Sequence, residues 1–309
     1  MVDKIKQLVR NNIFDNYHLY LLYGLNDKAG FFVFANRIFF AIINDGDSQE
    51  SDIDTEFLSL KTNVFIKSVK NNQLFKSGHY SILEFRSDVE HEYFETFIKL
   101  CEAYVKNGMN MSFVDFFETL FDLFKKSSEQ FKKNALGLYG ELKFLEKIYY
   151  EYDINLSNNW HISGSNSKYD ISYYGINFEI KTSIFDDYKF FIKHYQVFNG
   201  DDNYIVVINS EENPAGETIF ELVEKLRNLE PFASNLQFQI NLAKEMKRIS
   251  KEESKKFSIT NVNIYDTKKI SRLNEIPHCI SDVEYKYDFE LQPSEDIHEL
   301  FIYFKQIFN

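Results

Sequence analysis

Three charged residues in one short stretch have the types and spacing for metal-assisted chemistry. Asp170 lies in Tyr169-Asp170-Ile171, and Glu179 and Lys181 lie in Phe178-Glu179-Ile180-Lys181-Thr182-Ser183. Alternate residues of a strand share a face, so Glu179 and Lys181 point one way while Phe178 and Ile180 point the other. Gly175 supplies the tight turn that would fold the segment into a hairpin. A two-residue loop at Tyr174-Gly175 pairs Asp170 with Glu179; one at Gly175-Ile176, with glycine leading, pairs Asp170 with Lys181. Either register puts Asp170 on the face that carries Glu179 and Lys181, and a three-residue loop would turn it away.

Two carboxylates a few ångströms apart repel each other unless a cation sits between them. Hard oxygen ligands with open positions suit Mg²⁺, with Mn²⁺ as a substitute, together with waters and phosphate oxygens. Such an ion would draw a phosphodiester to a chain whose net charge is −12 and would offset the charge of its transition state. Lys181 would orient the attacking water or help to deprotonate it. Upstream, Glu141 is surrounded at helical spacing by Leu138, Leu142 and Leu145, on or beside a buried stripe where a carboxylate needs a partner. Gly137 and Gly140 are expected to let that helix approach the sheet closely. Acid-x-lysine alone says little: it recurs at Glu141-Lys143, Asp187-Lys189, Glu245-Lys247, Glu253-Lys255, Asp266-Lys268 and Glu284-Lys286. Those fall on helices, polar stretches or edges, whereas Glu179-Lys181 sits in an apolar strand with a phased aspartate upstream.

The elements that must position these groups can be read from periodicity. Residues 1–110 read as a β-rich α+β domain, with strands at 18–23, 30–43, 63–69 and 79–85, then a helix over 90–105 stopped by Asn107-Gly108. Residues 111–309 form the second expected domain. Helices cover about 112–131 and 135–150, the first carrying a stripe of Phe113, Phe116, Phe117, Leu120, Phe121 and Phe124. An irregular stretch with Gly164 leads to a strand pair over 168–183, and 203–209 reads as a buried strand. Helices at 218–229 and 233–247, strands at 257–265 and 285–291, and a helix from about 294 complete the chain. This order is that of an α/β/α layered domain, α+β for the whole chain.

The order of a helical Glu141, a strand Asp170 and a following Glu179-x-Lys181 resembles the PD-(D/E)XK nuclease superfamily. More closely, Gly137-Leu138-Tyr139-Gly140-Glu141-Leu142, Trp160, Tyr169-Asp170-Ile171, Glu179-Ile180-Lys181-Thr182-Ser183 and Gln196 resemble the bacterial PD-(D/E)XK motif proteins encoded beside restriction-modification and phage-defence genes. The resemblance implies a restriction-endonuclease-like α/β/α core with a mixed sheet and a Mg²⁺-dependent DNA endonuclease subunit. Within it, Asp170 and Glu179 bind metal, Glu141 completes the site as the helix acid, Lys181 is the catalytic lysine and Gln196 a polar helper. Tyr169 replaces the proline of the motif. The alternative is a non-catalytic scaffold or DNA-binding subunit that keeps the fold. An RNase or single-strand nuclease shares the same chemistry.

Other features bound the reading. Lys189 and Lys193 follow the hairpin and are the best-placed candidates for phosphate contact. Further basic groups are Lys61, Lys67, Lys70 and Lys76; Lys247, Arg248, Lys251, Lys255 and Lys256; and Lys268, Lys269 and Arg272. His194 lies near Gln196, and Trp160-His161 is expected to anchor the loop before the hairpin. Cys101 and Cys279 build neither a disulfide framework nor a zinc knuckle, and no phosphate loop of the nucleotide-binding type occurs. No segment reads as a signal peptide or membrane span, so a cytoplasmic location is expected. The expected partners are DNA and other subunits, in a homo-oligomer or hetero-complex.

Overall fold

A computed structural model of the chain describes every residue except 13, 15–17, 45–50, 68, 71–76, 125–134, 162–168, 185–187, 198–201, 250–254, 272–282 and 309. The expected turn at 45–48, the end of the 112–131 helix, Gly164, Lys168, Lys76, Lys251, Arg272 and Cys279 therefore lie outside the described residues. The chain divides into two compact units, Met1–Glu129 with Ala233–Lys244, and Gln130–Phe232 with Glu245–Asn309.

In the first unit, α1 (Val2–Asn11) precedes β1 (Leu19–Gly24), β2 (Ala29–Phe34), β3 (Arg37–Ile43), β4 (Asp52–Asp54), β5 (Leu58–Ile66), β6 (Val69–Lys70) and β7 (Gly78–Phe85). They form one sheet in the order β4-β5-β7-β3-β2-β1-β6. Two helices, α2 (Phe94–Lys106) and α3 (Phe113–Phe124), follow. One sheet face, with Phe31, Phe40, Leu60 and Phe85, packs into an aromatic core with Phe97, Phe116 and Leu120. The phenylalanine stripe of α3 therefore belongs to this unit, which runs past residue 110. Leu236, Ile240 and Ala243 return from far along the chain to the same core. The stretch 30–43, read as one strand, is a hairpin: Phe34 faces Arg37 across Ala35-Asn36, both at positive φ (47° and 59°), the backbone of a two-residue turn.

The second unit holds the residues of interest. Its elements are α4 (Ala135–Tyr152), β8 (Ile171–Tyr173), β9 (Ile176–Ile184), β10 (Lys189–Lys193), α5 (His194–Val197), β11 (Asp202–Thr218), α6 (Ile219–Asn228), the end of α7 (Leu236–Met246), β12 (Lys256–Asp266), β13 (Glu284–Asp288) and α8 (Ile297–Phe308). The main sheet runs β12-β11-β9-β8. It is mixed, as expected: β11 is parallel to β9 and the outer pairs are antiparallel. Phe178 of β9 stacks on Phe301 of α8 and meets Phe144 of α4, so one face lies under helices. On the other face Ile205 and Val207 pack with Ile192, Val197 and Tyr287. The second layer of the sandwich is thus thin, a single turn (α5) and the β10-β13 ribbon.

The contact of α4 with β9 sets the site's dimensions. A Cβ on Gly140 would lie 1.9 Å from Thr182 Oγ1, whereas one on Gly137 would meet nothing within 4 Å. Only Gly140, therefore, serves the close approach expected of both glycines. Gly140→Ala should destabilise the protein by about 1–3 kcal/mol, the range for overpacking. Gly137→Ala should stabilise it by up to about 1 kcal/mol through helix propensity. Urea unfolding of the two variants measures both signs.

Candidate active site

The hairpin adopts the first of the two possible registers. Tyr173 faces Ile176, so the loop is Tyr174-Gly175, with φ of 48° and 84°. Two consecutive left-handed residues make the turn whose twist matches the flanking strands. β8 ends its pairing at Ile171, and Asp170 sits just before it. There the Asp170 Oδ2 accepts the Ile180 backbone N–H at 2.7 Å, doing for β9 what a ladder carbonyl would do further along. Asp170, Glu179, Lys181 and Gln196 line one cleft of about 280 Å³, together with His161 and Lys193.

Within that cleft Glu179 is buried, at 8% exposure. Its Oε1 accepts from Lys181 Nζ at 2.7 Å. Gln196, also buried, hydrogen-bonds to the Glu179 carboxylate, while its own Oε1 accepts the Lys193 N–H at 2.9 Å. Burial pushes the Glu179 carboxyl above its ordinary range, against the pull of the Lys181 ammonium and of the Gln196 hydrogen bond; the Glu141 carboxylate adds to the rise.

Glu141 is the third acid. The sequence places it on a buried stripe in need of a partner, and it has two: Trp160 Nε1 donates to its Oε2 at 3.0 Å, and His161 Nε2 lies 2.8 Å from the same oxygen. The Trp160–Ile171 bridge and the His161 N–H to Asp170 carbonyl bond (3.0 Å) tie this segment to the start of β8. In consequence one ligand atom each from Glu141, His161 and Asp170 lie within 4.8 Å of one another. This trio differs from the expected metal set of Asp170, Glu179 and Glu141. His161, expected only to anchor a loop, stands in the cluster, while Glu179 is engaged by Lys181 and Gln196. A single histidine without ligand spacing carries no metal signal of its own; its position next to Trp160, just ahead of the hairpin, was the available one.

The remaining expectations sort by distance from the cleft. Lys193 lines it; Lys189, four residues back on the same strand, sits 3.6 Å from Asp288. His194 does not line it, and its ring lies beside Tyr285. Lys143, partner of Glu141 in an acid-x-lysine triplet, pairs with Glu146 and Glu217 instead. The Tyr169 that replaces the motif proline is built in: its hydroxyl accepts from Asn203 Nδ2 and donates to the Tyr195 carbonyl.

A family model described as "Putative PD-(D/E)XK family member, (DUF4420)" matches residues 34–290. The chain belongs to this family. The match spans both units, so the β-rich half is part of the family pattern. No curated protein and no solved structure matches the chain. No helix among the described residues is long and apolar enough to cross a membrane.

The raised carboxyl of Glu179 has a measurable consequence. A carboxyl that binds its proton more tightly in the folded chain adds stability below the unfolded-state pKa and loses it as pH rises through the folded one. At pH 8, well above the ordinary carboxylate value, the buried Glu179 carboxyl therefore weighs against folding. Glu179→Gln should melt above the wild type at pH 8, with the gap closing as pH falls to 4, below the ordinary value of 4.5. Calorimetric melting in chelator reads this directly; a lower Tm at pH 8 would mean that the ion pair with Lys181 outweighs the burial.

Proposed function

We propose that the chain is a divalent-metal-dependent DNA endonuclease, a subunit of a bacterial restriction or phage-defence system that hydrolyses phosphodiester bonds. Family membership supports a nuclease-like fold. The observation that carries the reading further is the convergence of Glu141, His161 and Asp170 beside the Glu179–Lys181 pair. Four acids (Glu141, Asp170, Glu179 and Glu284) against two lysines (Lys181 and Lys193) leave an excess of negative charge around a single cleft, and a cation is the natural counterweight.

The donor set fits a divalent ion: two carboxylates with donor atoms within 4.8 Å suit Mg²⁺ or Mn²⁺, and the imidazole beside them favours Mn²⁺ over the all-oxygen preference of Mg²⁺. Asp170, Glu141 and His161 would hold it. Once bound, such an ion stabilises the charge that builds on the phosphate oxygens. The chain's own groups do the rest. Trp160 fixes the Glu141 carboxylate. Glu179 tethers the Lys181 ammonium at the cleft, where it orients the attacking water and steadies the charged phosphate. Gln196 holds Glu179 and, through the Lys193 N–H, the end of β10. Lys193 adds positive charge at the rim, against an overall charge of −12.

With Mg²⁺ or Mn²⁺, and with the products of the neighbouring genes present, the wild type should cut DNA. Lys181→Ala and Asp170→Ala should each lose about a hundredfold or more of that rate. Calorimetric titration with Mn²⁺ should show binding that weakens by about tenfold or more in Asp170→Ala and Glu141→Ala. Equal Mn²⁺ affinity in wild type and variants, with no cleavage, would leave the scaffold reading standing.

A further inference from the structure

Beside the acids lies an aromatic side chain that the fold does not use. The alternation of β10 sends Phe190 and Ile192 inward, to the cluster with Phe289 and Tyr287. Lys189, Phe191 and Lys193 point outward, and all three are exposed. Phe191 is 62% exposed. A hydrophobic core gains nothing from it there, and a lone exposed phenylalanine needs no explanation by itself. Its setting is the point. It lines the same cleft as Asp170, Glu179 and Lys181. Lys189 and Lys193 flank it along the strand, and Lys286 is its direct partner across the ribbon. This face carries three lysines against Glu284 and Asp288, a local positive balance on an acidic chain.

An aromatic face ringed by lysines is the surface that single strands use: bases stack on the ring while ammonium groups track the phosphates. In a paired duplex the base faces are covered by their neighbours and are not offered to a side chain. The geometry points to Phe191 as a stacking platform for an unpaired base of the strand being cut, with Lys193 on the adjoining phosphate. The substrate class is therefore DNA that is single-stranded or locally melted at the scissile bond. This inference rests on the nuclease reading of the same cleft and adds the form of DNA that it takes.

The test is binding by the full chain in Ca²⁺, with the oligonucleotide checked for integrity, followed by fluorescence anisotropy. The probes are a single strand of about 12 nucleotides and its duplex. Phe191→Ala should weaken binding of the single strand by about tenfold, in line with the loss of one stacked base, and should change duplex binding by less than about twofold. Phe191→Trp should keep the single-strand affinity. A 2-aminopurine placed in the strand should be quenched by the wild type and by Phe191→Trp, but less by Phe191→Ala. Equal losses on both DNA forms, or no loss on either, would overturn the platform while leaving the nuclease reading in place. A wild type that binds neither form would overturn both. Unchanged melting of the variants, expected for so exposed a position, separates these outcomes from misfolding.

Discussion

One missing side-chain carbon sets the scale of the candidate site. With no Cβ at position 140, α4 lies against Thr182 of β9, and the next residue, Glu141, is carried on that backbone to the segment ahead of β8. From there its carboxylate meets Trp160 and His161. A helix held farther off by even a methyl group would withdraw Glu141 from the cluster with Asp170. Packing and chemistry are thus coupled at adjacent residues, since the tolerance of a close-packed interface is a fraction of an ångström.

Charge is the second constraint, and it is distributed with care. Each acid has a specific donor: Ile180 N–H for Asp170, Lys181 for Glu179, Trp160 for Glu141. Buried carboxylates are tolerable only with such partners. The partners orient the acids without cancelling them, so the cleft keeps a surplus of negative charge. Asp170 illustrates the economy of the arrangement. It stands where β8 stops pairing, and its side chain satisfies a backbone donor of β9 that the short strand leaves uncovered.

Much of this was legible in the residues. Glu141 on a helix, Asp170 on a strand and Glu179 and Lys181 on its neighbour can be read in order, with Gln196 following, and the period of two along 178–182 gives Glu179 and Lys181 one face and Phe178 the other. The register could not be chosen from sequence, because glycine at 175 suits either loop; the pairing of Tyr173 with Ile176 decides it. The hairpin at Ala35-Asn36 leaves no local signal, because it lacks the Asn-Gly or Asp-Gly pair that announces such turns. His161 is silent in the sequence for a different reason. Its proximity to Glu141 depends on a tertiary contact between a helix and a loop that are about twenty residues apart, and no local pattern encodes that distance. The same holds for Leu236, Ile240 and Ala243: their helical spacing shows an apolar face but not which core receives it.

That returning segment carries its own consequence. The core of the first unit includes residues from 233–244, on the far side of the chain from Glu129. During synthesis the first unit therefore cannot complete its core when residue 129 leaves the ribosome; it must wait until most of the second unit's sheet has emerged. Neither unit is a contiguous stretch of polypeptide that could be cut out at one point and expressed whole. Exchange of either half between relatives would need three crossovers rather than one, at the boundaries after residues 129, 232 and 244.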